Sequence, residues 1–65
     1  MSIENILRLM PLKHRVTIVD FLNDELYGGV VETVPYDLRD LDVTGIVAAH
    51  DWYEDYDYLW IEVDQ

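Results

Sequence analysis

Residues 58–63 read Tyr-Leu-Trp-Ile-Glu-Val, and their alternation decides how the chain folds. Successive side chains of a strand point to opposite faces. Leu59, Ile61 and Val63 therefore share one face, and Tyr58, Trp60 and Glu62 share the other. A slip of one residue would bury Glu62 and expose the aliphatic set, so the aliphatic face is expected to meet the core. Tyr58 and Trp60 are then left on an outward face beside a carboxylate.

The preceding stretch supplies a partner. Residues 43–49 (VTGIVAA) read as a third strand that forms a hairpin with the last, and residues 50–57 (HDWYEDYD) as the loop between them. Further back, Pro35 is pre-set for the first turn of a short helix whose apolar side is Leu38 and Leu41. Residues 25–34 (ELYGGVVETV) and 15–22 (RVTIVDFL) read as an earlier hairpin turned by Asn23-Asp24. Gly28-Gly29 predicts a bulge or sharp bend in it. At the start, Ser2 caps a helix and Glu4 sits in its first turn. Ile3, Ile6, Leu7 and Met10 form one apolar stripe, and Pro11 ends it. So short a helix holds only when packed on something larger. The expected fold is α+β: an N-terminal helix on a mainly antiparallel four-stranded sheet, with a helical turn between two hairpins, as one domain over residues 1–65.

Composition narrows the function. At 65 residues with 51% hydrophobic side chains, the chain can fold but has a small core. It has no cysteine, which removes disulfides and thiolate metal ligands. No apolar run approaches the roughly 20 residues of a membrane span. The first residues lack the pattern of a secretory leader, so the cytoplasm is the expected compartment.

Charge is uneven. Residues 1–35 carry five acids and three bases, net −2; residues 36–65 carry nine acids and only Arg39, net −8. Such a chain is repelled by nucleic acid and anionic lipid and attracted to a basic protein surface. The plainer reading is that acidity keeps a small protein soluble. The acids are interleaved with aromatic rings in residues 51–62, where Asp51, Glu54, Asp55, Asp57 and Glu62 stand among Trp52, Tyr53, Tyr56, Tyr58 and Trp60. These ten residues are the candidate partner-binding set. Tyr and Trp concentrate binding energy at interfaces, and carboxylates complement lysine and arginine. A row of carboxylates, with Glu62 and Asp64 as one pair, also suggests imitation of nucleic-acid phosphates by an inhibitor of a nucleic-acid-binding protein.

Other chemistry finds little purchase. The spacing of Asp51, Asp55, Asp57 and Glu62 echoes a calcium loop, but Tyr53 and Tyr56 stand where an oxygen ligand and a glycine are needed. No metal site or cofactor is expected. Ser2 is the only serine and serves as a cap, and His14 and His50 read as surface residues. Gly28-Gly29 lacks the strand–turn–helix setting of a phosphate loop. No enzyme is expected.

The Ile3-x-x-Ile6-Leu7 helix, Leu26-Tyr27-x-Gly29, Asp37-Leu38-x-Asp40-Leu41-x-Val43 and the closing Leu59-x-Ile61-x-Val63 resemble small uncharacterised proteins of phages and mobile elements of Gram-positive bacteria. The resemblance covers most of the chain and rests on core and turn positions. It implies a host-interaction or accessory role without assigned chemistry, and the acidic aromatic loop departs from its pattern. The expectation is an acidic interaction module docking on a basic protein. The alternative is an accessory protein whose aromatic face makes a homodimer, with acidity serving solubility alone.

Overall fold

A computed structural model describes residues 1–65. In chain order it contains α1 (Ile3–Leu7), β1 (Arg15–Val19), β2 (Glu25–Val30), a 3₁₀ turn (Val31–Thr33), α2 (Tyr36–Arg39), β3 (Val43–Asp51) and β4 (Tyr56–Val63). The four strands form one sheet in the order β2-β1-β4-β3. The class is α+β, as expected. The sheet is mixed, which corrects the mainly antiparallel expectation at its centre. Both hairpins are antiparallel, but β1 and β4 run parallel, with Val16 opposite Leu59 and Ile18 opposite Ile61. The physical reason is burial. β1 and β4 carry the two most aliphatic faces, and placing them side by side at the centre puts both under the helices. The segments between β2 and β3 then carry the chain across that face to the far edge.

Val16, Ile18, Ile61 and Val63 from the sheet meet Ile3, Ile6 and Leu7 of α1 and Val31 and Val34 of the connection in one buried cluster. Leu26, Tyr27, Leu38, Leu41, Val43 and Leu59 close its margin. α1 starts at a reciprocal cap: Ser2 Oγ accepts from the Asn5 N–H, and Asn5 Oδ1 accepts from the Ser2 N–H. The helix is shorter than the apolar stripe. Leu9 and Met10 donate three residues back, to the carbonyls of Ile6 and Leu7, tightening the last turn before Pro11.

In the first hairpin, two strand ends and the position of the bulge differ from those read in the sequence. β1 stops at Val19 rather than Leu22, because Asp20 Oδ1 accepts from the N–H groups of Leu22 and Asp24, at 2.9 Å each, and turns the chain. Asn23 takes the left-handed conformation in that turn, with φ 66°. β2 leaves the sheet at Val30 because Val31 and Glu32 donate to the carbonyls of His14 and Leu12 instead of to a strand. The bulge in the first hairpin falls at Leu26, between the Ile18–Tyr27 and Val19–Glu25 pairs, and not at Gly28-Gly29. Gly29 answers a different need. A Cβ there would lie 2.5 Å from Tyr27 Oη, whose hydroxyl donates to the Val30 carbonyl at 2.9 Å.

Arg39 ties the helical layer together. Its guanidinium donates to the carbonyls of Val34 (3.1 Å) and Val31 (3.2 Å) and to Glu4 Oε2 (2.8 Å), linking α2, the 3₁₀ turn and α1. With its side chain only 17% exposed, water cannot replace it easily. Arg39→Met is expected to leave two carbonyls short of a donor and to cost about 2–3 kcal/mol, measured by urea unfolding. The Arg39 hydrogen bond also holds the Glu4 carboxyl below its ordinary value of 4.5, with a smaller push from Arg8. A carboxylate lowered by folding stabilises the native state above its unfolded pKa, and that contribution disappears as pH falls through the lower folded value. The stability gap between the natural protein and Glu4→Gln should therefore hold at neutral pH and close on acidification below 4.5, read from urea midpoints across a pH series.

Candidate functional site

The helices cover one face of the sheet, and the other face stays open. On the open face the pairing register aligns Thr17 of β1, Trp60 of β4 and Val47 of β3 in one row. The next row holds Arg15, Tyr58 and Ala49, followed by the Tyr56–Asp51 pair. Toward the opposite end lie Glu62 and Gly45, in the row of Val19, which is itself buried. Trp60, Tyr58 and Tyr56 are half-buried by their strand neighbours and take no part in the core cluster, while Val47 is 53% exposed. Tyr56 and Tyr58 meet edge to face with ring centroids 6.1 Å apart, and the Arg15 guanidinium stacks 4.8 Å above the Tyr56 ring. The rings are thus pre-set in orientation, which limits the entropy lost when a partner covers them. Glu62 is held on this face by the Thr44 hydroxyl, which donates to Oε1 at 3.0 Å.

Half of the stretch expected as a loop from His50 to Asp57 is strand. His50 and Asp51 extend β3, Tyr56 and Asp57 extend β4, and only Trp52, Tyr53, Glu54 and Asp55 turn. The turn is built by Asp51, whose Oδ1 accepts from the N–H groups of Tyr53 and Glu54 at 2.9 Å each. The Asp55 N–H donates to the Asp51 carbonyl at 2.7 Å, and Asp55 takes φ 59°. These bonds, the Glu54 N–H first, hold the Asp51 carboxyl below its ordinary value of 3.8. A charge on a short side chain followed by a residue tolerant of the left-handed region is a turn signature, and it was available in the sequence.

The ten candidate residues therefore divide into three groups. Tyr56, Tyr58, Trp60 and Glu62 lie together on the open face, with Asp51 at its rim. Trp52 and Tyr53 project from the hairpin tip, 86% and 94% exposed, beside Glu54 and Asp55. Asp57 points to the helix-covered side of the sheet, one row beyond the core. There His50 sits between two carboxylates, with Nδ1 2.7 Å from Asp57 Oδ1 and Nε2 3.2 Å from Asp55 Oδ1, and its ring lies against Trp52 at 4.3 Å. The carboxylates thus do not line up as one row. Asp51 serves the turn, Asp55 and Asp57 converge on His50, and Asp64 lies past the end of β4, out of the strand pairing with Glu62. Asp57 and Glu62, on opposite faces of one strand, cannot close around a single calcium ion.

Three residues of the site escaped the sequence reading. Val47 was legible only as a strand residue, because its exposure follows from β3 being an edge. Arg15 joined the aromatic face through the parallel pairing of β1 with β4, which no local signal encodes. His50 met its acids because the hairpin turn is four residues long rather than eight. Beneath His50, an open hollow of about 440 Å³ runs between it and His14, floored by Ala48 and Leu59. It holds no converging set of metal ligands. No helix is long and apolar enough to cross a membrane. No family model matches the sequence, and no curated protein and no solved structure matches it.

Proposed function

We propose that the protein is an acidic interaction module that docks its open sheet face on a basic protein surface. One observation carries this reading: Trp60, Tyr58 and Tyr56 are oriented on a sheet face that no helix covers, in a chain of net charge −10. Rings of this kind supply contact area with little loss of rotamer freedom. The surrounding acids would speed encounter with a cationic partner and reject anionic ones. Where that cationic surface is one that binds phosphates, docking would exclude nucleic acid and the protein would act as an inhibitor. An origin in a phage or mobile element fits such a role.

The test is affinity capture of partner from a host extract at low and high salt, with Trp60→Ala beside the natural protein. The reading expects a basic protein that is released by salt and absent from the Trp60→Ala column, and that loses bound nucleic acid when the acidic protein is added. Capture indifferent to both salt and Trp60 would overturn it. A doubled mass in light scattering that reverts in Trp60→Ala would assign the aromatic face to a homodimer instead.

A further inference from the structure

The sheet has two edges, and they are not alike. β2 is broken by the bulge at Leu26, carries Glu25 and ends under the 3₁₀ turn. These devices blunt an edge against further pairing. β3 has a bulge only at its start, between Val43 and Gly45; from Gly45 to Asp51 it pairs with β4 without interruption. Its first residues are covered, since the Val43 N–H donates to the Met1 carbonyl and Ser2 bridges Asp42. Beyond that point no backbone group outside the sheet bonds to residues 45–50. The run Gly-Ile-Val-Ala-Ala contains no charge and no proline, and Ile46 and Val47 are 46% and 53% exposed on its two faces.

Charge gathers at both ends of this edge. Asp42 and Asp64 stand at the Val43 end, and Asp51, Glu54, Asp55 and Asp57 at the hairpin end. The neutral run of residues 45–49 between them spans about 17 Å at the rise of an extended strand. We propose that the outer edge of β3, residues 45–51, receives an extended peptide as a further strand, and that the peptide is apolar in its middle and basic at both ends. Backbone hydrogen bonds would hold it, alternate side chains would rest on Ile46 and Val47, and the terminal lysines or arginines would reach the two acidic clusters. A second copy of this chain fits less well. Antiparallel pairing of β3 with its own copy brings Asp42 and Asp64 of one against Asp51, Asp55 and Asp57 of the other. The inference rests on the docking reading only for the sign of the partner's charge.

The probe is the synthetic peptide Lys-Lys-Val-Thr-Val-Thr-Val-Lys-Lys, compared with the same peptide N-methylated at alternate residues. The two share charge and side chains, but the second lacks the donors a strand needs. The expected result is binding of the first, at least about 30-fold weaker binding of the second, and amide shifts centred on residues 43–51 and the flanking acids in a heteronuclear spectrum. Equal affinity for both peptides overturns the edge site and leaves docking by charge and rings intact. Shifts centred on Tyr58 and Trp60 likewise move the peptide to the open face. Failure of the unmethylated peptide to bind overturns the edge inference, whereas the docking reading stands or falls on capture and Trp60. A mass of two copies without peptide that persists in Trp60→Ala gives the edge to self-pairing and also overturns the proposal.

Discussion

Trp60→Ala is expected to reduce affinity for the basic partner by roughly 30-fold or more while the protein still unfolds in one cooperative step. Trp60 occupies the middle row of the open face, between Thr17 and Val47, with Tyr58 and Tyr56 along the same strand. Residues that dominate binding tend to be central aromatics ringed by contacts that exclude water, and truncating one costs 2 kcal/mol or more. That cost corresponds to about a 30-fold change in Kd. Because Trp60 lies outside the buried cluster, its loss removes a half-exposed ring and opens no cavity. Titration calorimetry would give the affinity, and thermal unfolding by circular dichroism would show whether the fold persists. A Trp60→Ala protein without a cooperative transition would mean that the ring belongs to the structure rather than to a contact surface.

The adjacent residue is expected to behave in the opposite way. Ile61 is fully buried, pairing with Ile18 on one side and Ile46 on the other beneath α1. Ile61→Ala removes its outer carbons from the centre of the core, a change that costs about 2–5 kcal/mol when neighbours cannot collapse into the space. A domain of this size has a total stability of roughly 3–10 kcal/mol, so the loss is a large part of the whole. The melting temperature should fall by about 10–30 °C, and at the upper end the chain is unfolded at physiological temperature. Ile61→Val, which removes one methyl group, should cost only about 0.5–1.5 kcal/mol. Equal and small losses for both substitutions would show that the strand's aliphatic face is not the core.

This contrast between neighbours is the part of the protein most legible in its sequence. The period-two alternation of residues 58–63, with a carboxylate on one face, fixed which side could be buried. The cap at Ser2 and the apolar side of Leu38 and Leu41 were also readable, since each depends on residues close in the chain, whereas α1 ends at Leu7, before the Pro11 that was expected to stop it. The errors lie where distant residues compete for the backbone. Phe21 and Leu22 have strand character, yet Asp20 captures two N–H groups and ends β1 before them. Val31 and Thr33 are β-branched, yet the carbonyls of His14 and Leu12 draw the chain out of the sheet. The site suffered in the same way. Its aromatic members were found because they lie on one strand, whereas Arg15 and Val47 arrive from other strands through a pairing order that no short stretch encodes. The local pattern places Asp57 in a loop and so on no face. Once the turn tightens to four residues, strand parity sends it to the side of His50 and away from Trp60.

The parallel contact between β1 and β4 also governs how the molecule comes into being. During synthesis the first hairpin, both helical segments and β3 all emerge before the strand that unites them. Until Tyr56–Val63 is made, β1 has a vacant flank and α1 has only part of its floor. The pairing of Arg15 with Tyr58 closes a loop spanning most of the chain, so its entropic cost falls before the reward of burial. Assembly is thus one late event rather than the sequential addition of two hairpins, and a nascent chain halted before its final strand would be a substrate for proteases rather than a half-built domain.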